Sequence, residues 1–431
     1  GSSVSENQYY VNGFNITNSF RSLNFSQVPF EAIAEQQVKT GGYGAEFGRS
    51  LGGVINQVTK RGSNDFHAGA SVYYTPDSLR EKTRNTYLAN PLACGPAPYT
   101  ACTKGQLRQD SSRDSTWDVE GSVWASGALI KDRLFAYGLI GYKRQEQELW
   151  GNVQSGTNVD NSVKTPTWLL KMDWQISDNH LLEFTGFSDK ADTETVVYGN
   201  TIGVLNRLGH IGTSYGEQGG ENYVLKYTGY LTNTFTLSAL YGHGEFSRGQ
   251  YLRTASGVDV RYNGDLHKPA TGCPLIVDAR PSSRQDATGV YASQCNLTGG
   301  AIPRSDSGDT RDQFRIDAEW LLGNHRLQFG VDIDNFESVA GTSTEGGRVW
   351  RYSTLANGTD IVREQIVNQG SVNEVKQRAL YVQDSWNITE NFIAYLGGRW
   401  DTFDNRDGFG NTFVKVSNQF GPRLGFAWDV N

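Results

Sequence analysis

From residue 65 onward, apolar and polar residues alternate in runs long enough to read as β-strands with two chemically different faces. In 168–176, Trp168, Leu170, Met172, Trp174 and Ile176 share one face, and Lys171, Asp173 and Gln175 share the other. In 314–320, Phe314, Ile316, Ala318 and Trp320 oppose Arg315, Asp317 and Glu319. The next run sets Leu327, Phe329, Val331 and Ile333 against Gln328, Asp332 and Asp334, and Trp117, Val119 and Val123 oppose Asp118, Glu120 and Ser122. About twelve such segments recur, near 65–76, 115–128, 134–149, 165–176, 181–190, 219–231, 235–250, 309–321, 326–340, 374–387, 392–404 and 419–431. Their polar faces carry charge, so each strand is expected to separate water or polar partners from an apolar medium.

The connections between these segments alternate in length. Five are compact: 129–133, 177–180, 232–234, 322–325 and 388–391, built from residues such as Asp132, Asn179, Asn233, Gly323 and Asn391 that suit tight hairpins. The others run from about 13 to about 60 residues and are rich in Gly, Ser, Asp and Asn. A sheet with tight turns at one end and long loops at the other is the pattern of an outer-membrane barrel, with periplasmic turns and surface loops. A soluble sandwich or propeller would put the same greasy parity into its core. Aromatics near strand ends, at Trp117, Trp168, Trp174, Trp320, Trp386 and Trp400, favour the barrel, where they would lie at the headgroups.

Composition narrows the class further. Fifty glycines, 12 % aromatics and a single methionine in 431 residues suit strands and turns better than packed helices. No run of about 18 apolar residues exists to form a membrane helix, and the mean hydropathy is −0.51, which a barrel tolerates because only alternate side chains meet lipid. The net charge of −7 comes from intermixed signs without a basic stripe, so no nucleic-acid partner is expected. The six histidines are dispersed and no hydrolase or metalloprotease motif occurs, so neither an enzyme nor a cofactor or metal is expected.

Residues 1–64 lack long amphipathic strands and carry short apolar pieces separated by glycines. Within them stand a proline-led Val28-Pro29-Phe30, then Gly41-Gly42-Tyr43, Ala45-Glu46-Phe47-Gly48-Arg49, Gly52-Gly53-Val54-Ile55-Asn56 and Thr59-Lys60. This succession resembles the end of the plug domain of TonB-dependent outer-membrane receptors. Upstream, 6–13 is similar to the version in the Oar-like branch, as are the barrel-strand motifs at 381–386 and 420–426. The resemblance implies an all-β fold: a plug fragment at 1–64 and, at 65–431, the first part of a transmembrane antiparallel β-barrel, about twelve strands of about 22. It also implies active uptake at the outer membrane of a Gram-negative cell. The cargo would be a surface-bound siderophore, oligosaccharide, peptide or protein, driven by the TonB-ExbB-ExbD complex through a TonB box not found in this chain. Outer-membrane lipid would surround the wall. A porin or surface adhesion barrel without energy coupling is the alternative, but neither needs the plug-like segment.

Several residues are candidates within that frame. Glu46 and Arg49, three apart in the plug-like segment, would need partners if buried, either each other or wall carboxylates among Asp118, Glu120, Asp173, Glu183, Asp317, Glu319, Asp332 and Asp334. They could form a latch or a plain structural pair. The longest loop, 250–308, offers Tyr251, Arg253, Tyr262 and Tyr291 as ligand-rim residues, while Asp259, Asp265 and Asp278 lack the spacing of a calcium loop. Cys94 with Cys102 and Cys273 with Cys295 fall as local pairs in loop segments, and disulfides exposed to an oxidising compartment are expected.

Overall fold

The computed structural model describes residues 6–19, 26–49, 52–89, 92–94, 100–102, 104–151, 157–200, 206–278, 280, 296–298 and 300–430. Four short strands open the chain: β1 (Gln8–Val11), β2 (Phe14–Asn15), β3 (Ile33–Lys39) and β4 (Val54–Thr59). They form a small sheet of order β2-β1-β4-β3, in which β1 and β4 run parallel. The alternating runs then supply β5 (His67–Thr75), β6 (Ser115–Ile130), β7 (Leu134–Leu149), β8 (Thr157–Ser177), β9 (His180–Ser188), β10 (Ala191–Gly199), β11 (His210–Tyr230) and β12 (Phe235–Ser247). They continue as β13 (Gly308–Leu322), β14 (His325–Thr344), β15 (Asn368–Thr389), β16 (Phe392–Arg406) and β17 (Thr412–Trp428).

All twelve expected strands are present in one sheet whose neighbours follow chain order from β5 to β17, with β10 pairing β8 and β11. Each tight turn joins an antiparallel pair, and two of them need a left-handed residue, Asp132 at φ 62° and Gly323 at φ 59°. From β13 to β15 the ladders set the two faces without a register shift. Trp320 pairs Leu327, Ile316 pairs Val331 and Val331 pairs Leu380 on the outward side, whereas Glu319 pairs Gln328 on the inward side. Trp174 is 47 % exposed beside Asp173 at 3 %, so parity and burial agree.

Strands are longer than the amphipathic pattern indicates. β8, β11, β14 and β15 have 21, 21, 20 and 22 residues, about twice what crosses a bilayer. Their upper halves, such as Thr157-Asn158-Val159-Asp160-Asn161-Ser162, are polar on both faces, so backbone pairing holds them and periodicity does not reveal them. β9 and β10 amount to one strand broken at Asp189, since both pair with β8 on one side and β11 on the other.

The small sheet sits against the inward face. Val11, Phe14, Ile16, Val28 and Ala32 share a core with Tyr137, Leu139, Leu169, Phe187, Val224, Leu240, Phe336 and Val375 of the wall. The inward parity is therefore not uniformly polar: where this seat lies, β7 is apolar on both faces, Tyr137 and Leu139 inward and Ile140 outward. Gly242 belongs to the seat as well, because a Cβ there would stand 2.2 Å from the Phe14 ring.

The outward apolar band predicts a depth-dependent cost. Phe329→Arg, in the middle of the β14 band, should destabilise the intact protein by about 2–4 kcal/mol. Asn335→Arg, on the same parity above the band, should cost about 0–1 kcal/mol. Denaturant unfolding in lipid vesicles measures both, and equal costs would place the band elsewhere.

Candidate functional site

The region with functional geometry is the junction between the small sheet and the wall. Strands β13 to β16 carry it. Inward parity on β13 continues from Asp317 and Arg315 through Gln313 to Arg311, which is completely buried. The Arg311 guanidinium donates to Asp334 at 3.0 Å, to the Asn15 carbonyl at 2.8 Å and to the Ser19 hydroxyl at 2.9 Å, with Phe336 beneath it at 4.9 Å. Gln313 accepts from the Asn15 amide at 2.9 Å and donates to Asp332 at 3.0 Å.

A second buried arginine repeats the arrangement. Arg399 on β16 is held by Asp401 and Asp332 and donates to the Ala45 and Glu46 carbonyls at 3.3 and 3.2 Å. Gln383 on β15 accepts from the Ala45 amide at 2.6 Å. Gly48 makes the approach possible, because a Cβ at that position would stand 2.7 Å from the Arg399 guanidinium. Farther around, Asp189, at the break between β9 and β10, accepts from the Ser26 hydroxyl and the Gln27 amide, both at 2.8 Å. The Tyr137 hydroxyl donates to the Glu31 carbonyl at 3.2 Å. At each of these points a wall side chain grips the main chain of the small domain. No ladder joins the two sheets among the described residues.

Glu46 and Arg49 do not meet. One Glu46 oxygen is buried without a hydrogen-bond partner, while Arg49, at φ 58°, donates to Ser19 at 3.2 Å and lies over the Phe403 ring at 5.2 Å. Burial pushes the Arg49 guanidinium below its ordinary range, with Asp334 opposing that shift. The wall carboxylates have other occupations. Asp332 and Asp334 anchor Arg399 and Arg311, Glu183 binds Lys171 and the linker residue Arg61, Asp118 binds Arg80, and Glu120 binds Lys143. Asp173 lies near Lys171 and Arg61, Asp317 pairs with Arg315, and Glu319 with Arg326. The residues that grip, Arg311, Gln313, Gln383 and Arg399, were visible only as further members of the inward parity.

Above the junction, toward the long loops, the wall lines an open cavity of about 660 Å³ that Asn18 also borders. The rim candidates do not line it. Tyr251 stacks on Tyr215 at 5.0 Å and Arg253 pairs with Asp259, on the face opposite to Leu252, which is buried inward. Tyr262 is buried in a loop core with Leu252, Val260, Ala270 and Ile302, and Tyr291 lies outside the described residues. Asp259 is occupied by Arg253 and Arg261, Asp265 lies near Lys268, and no cluster of metal-ligating side chains occurs among the described residues.

Comparison with known proteins bears on this arrangement. Residues 142–407 match the family model described as an outer membrane beta barrel domain. The TonB-dependent transporter Oar of Myxococcus xanthus is 24 % identical, over 100 % of this chain and 45 % of its own length. Among solved structures, the outer membrane transporter YddB of Escherichia coli superposes with a TM-score of 0.56 at 15 % identity, over 100 % of this chain and 52 % of that one. The ferripyoverdine receptor of Pseudomonas aeruginosa does so with 0.56 at 13 % identity, over 98 % and 48 %. The chain thus spans about half the length of the relatives it matches.

The grip predicts an asymmetry. Arg399→Ala should loosen the junction by about 3–5 kcal/mol, because it strands Asp332 and Asp401 as well as two carbonyls. Glu46→Ala should cost no more than about 0.5 kcal/mol. Hydrogen exchange of the 44–48 amides in the intact protein reports both, and a larger effect of Glu46→Ala would restore it as the latch.

Proposed function

The chain belongs to the outer membrane beta barrel domain family and is an outer-membrane protein, and from that premise we propose that it is the plug end and wall of a TonB-dependent transporter. Residues 1–64 act as the plug and 65–431 as wall. A ligand from the cell surface is held above the plug, and the TonB-ExbB-ExbD complex, pulling on a TonB box elsewhere in the protein, displaces the plug to admit it. The relative from Myxococcus xanthus carries the same name for its activity. The observation that carries the reading is the mode of attachment: the small sheet packs against the inward face yet, among the described residues, is tied to it by side chains and not by a ladder. Such ties open one at a time without unzipping the wall, which an uncoupled pore or an adhesion barrel does not require.

Locking the junction tests this. With Ala45→Cys and Gln383→Cys in the intact receptor, oxidation should leave ligand binding unchanged, abolish uptake, and be reversed by reductant. Uptake that survives oxidation, or that is indifferent to removal of TonB, would favour the uncoupled pore.

We also propose the disulfides Cys94–Cys102 and Cys273–Cys295 as loop staples. Cys273 is disulfide-bonded, and Cys295 lies outside the described residues. Cys94 and Cys102 stand in one two-stranded ladder, opposite Thr100 and Leu92. Mass mapping of non-reduced peptides should recover both links, and free thiols at either pair would remove that staple.

A further inference from the structure

The cavity above the plug has a lining whose chemistry selects among ligands. Its inward-facing side chains include Asn18, Thr193, Thr195, Ser214, Gln218 and Gln250, all neutral hydroxyls or amides. The register brings four of these positions to one place, since Thr195 pairs Ser214, Thr193 pairs Gly216 and Gly216 pairs Gln250. Ser307 and Thr342 add hydroxyls from the other wall. Phe246 is the one aromatic among the described lining residues.

Among the described lining residues charge is nearly absent from the interior of this space. Arg248 is its one cation among the described residues, and its charge is already paired. It binds Asp309 through two nitrogens at 2.6 and 3.1 Å, reaches Ser338 at 3.1 Å and the Gly308 carbonyl at 3.3 Å, and Asp309 is fully buried beneath it. Glu217 shares the cavity edge, but its position, opposite Asp192, has the outward parity. An anionic ligand such as a ferric chelate would therefore lose its hydration without gaining an unpaired cation from the described lining. A peptide would find few apolar recesses for side chains, the described apolar lining being Phe246, Pro303, Ala340 and glycines. A chain of sugar units presents many hydroxyls that both donate and accept, which is what Thr, Ser, Asn and Gln side chains satisfy.

We propose that this cavity binds a neutral, hydroxyl-rich oligosaccharide, with Gln218, Ser214 and Thr193 among its hydrogen-bonding partners. The proposal rests on the transporter reading and names its substrate class. About 660 Å³ is the size of a site for a few sugar rings.

The test is calorimetric titration of the intact receptor with maltotriose, cellotriose, chitotriose and mannotriose, beside ferric citrate and an uncharged tetrapeptide. At least one trisaccharide should bind saturably, with affinity changing less than about twofold between low and high salt because no ion pair forms. The Gln218→Ala/Ser214→Ala double variant should weaken it by about tenfold or more, two lost hydrogen bonds, without changing heat modifiability. Binding of ferric citrate or the peptide that the double variant weakens, or no trisaccharide binding at all, overturns the proposal. Uptake in cells separates the two readings. Trisaccharide binding with TonB-independent uptake supports the site and defeats the transporter reading. TonB-dependent uptake of another cargo, without trisaccharide binding, does the reverse.

Discussion

In a bilayer the backbone N–H and C=O groups of a strand have no water to turn to, so each must be paired within the sheet. Each strand between β5 and β17 meets that demand with a neighbour on both sides, and the consequence reaches the interior. Strands paired on both sides have no main-chain groups left for what they contain. The small sheet inside must then be held by side chains, and Arg311, Arg399, Gln313, Gln383 and Asp189 do it. Each arginine is itself fixed by carboxylates of the wall, so a buried cation is balanced locally and its remaining donors are aimed inward.

The fold was written plainly where one face is greasy and the other charged. Runs such as 314–320 and 327–333 place every side chain on the correct side, because a slip of one residue would exchange the faces completely. The turns were equally legible, as Gly323 and Asp132 hold backbone angles that few other residues adopt. What could not be read were elements whose two faces are alike. The upper half of β8 is polar on both sides, and β10 joins the wall only because β9 breaks at Asp189. The apolar seat under the small sheet is the converse case, with β7 greasy on both sides.

The site was legible in kind and not in detail. Glu46 and Arg49 stand out in the sequence because they are charged in a glycine-rich segment, yet Gly48 and the carbonyls of Ala45 and Glu46 make the contact. A carbonyl has no letter in a sequence. The same limit applies to Tyr251 and Arg253, whose outward side follows from their pairing with Tyr215 and Thr213 across a ladder that composition does not announce. Arg248 shows the opposite: a lone cation in a cavity reads as an anion site until Asp309 is seen beneath it.

A grip on main-chain atoms is indifferent to the spelling of what it holds. Asn15 and Glu46 are recognised through carbonyls that every residue offers, and Gln27 and Ala45 through amides that every residue except proline offers. Selection can therefore rewrite the side chains of the small sheet at those points while the wall keeps its hold, provided the local path of the chain and the glycine at 48 persist. Inheritance would then run at two rates inside one molecule. The inward arginines and their carboxylates would be slow to change, and the loops they clasp would drift, so that the inner domain of one lineage could be seated in the wall of another.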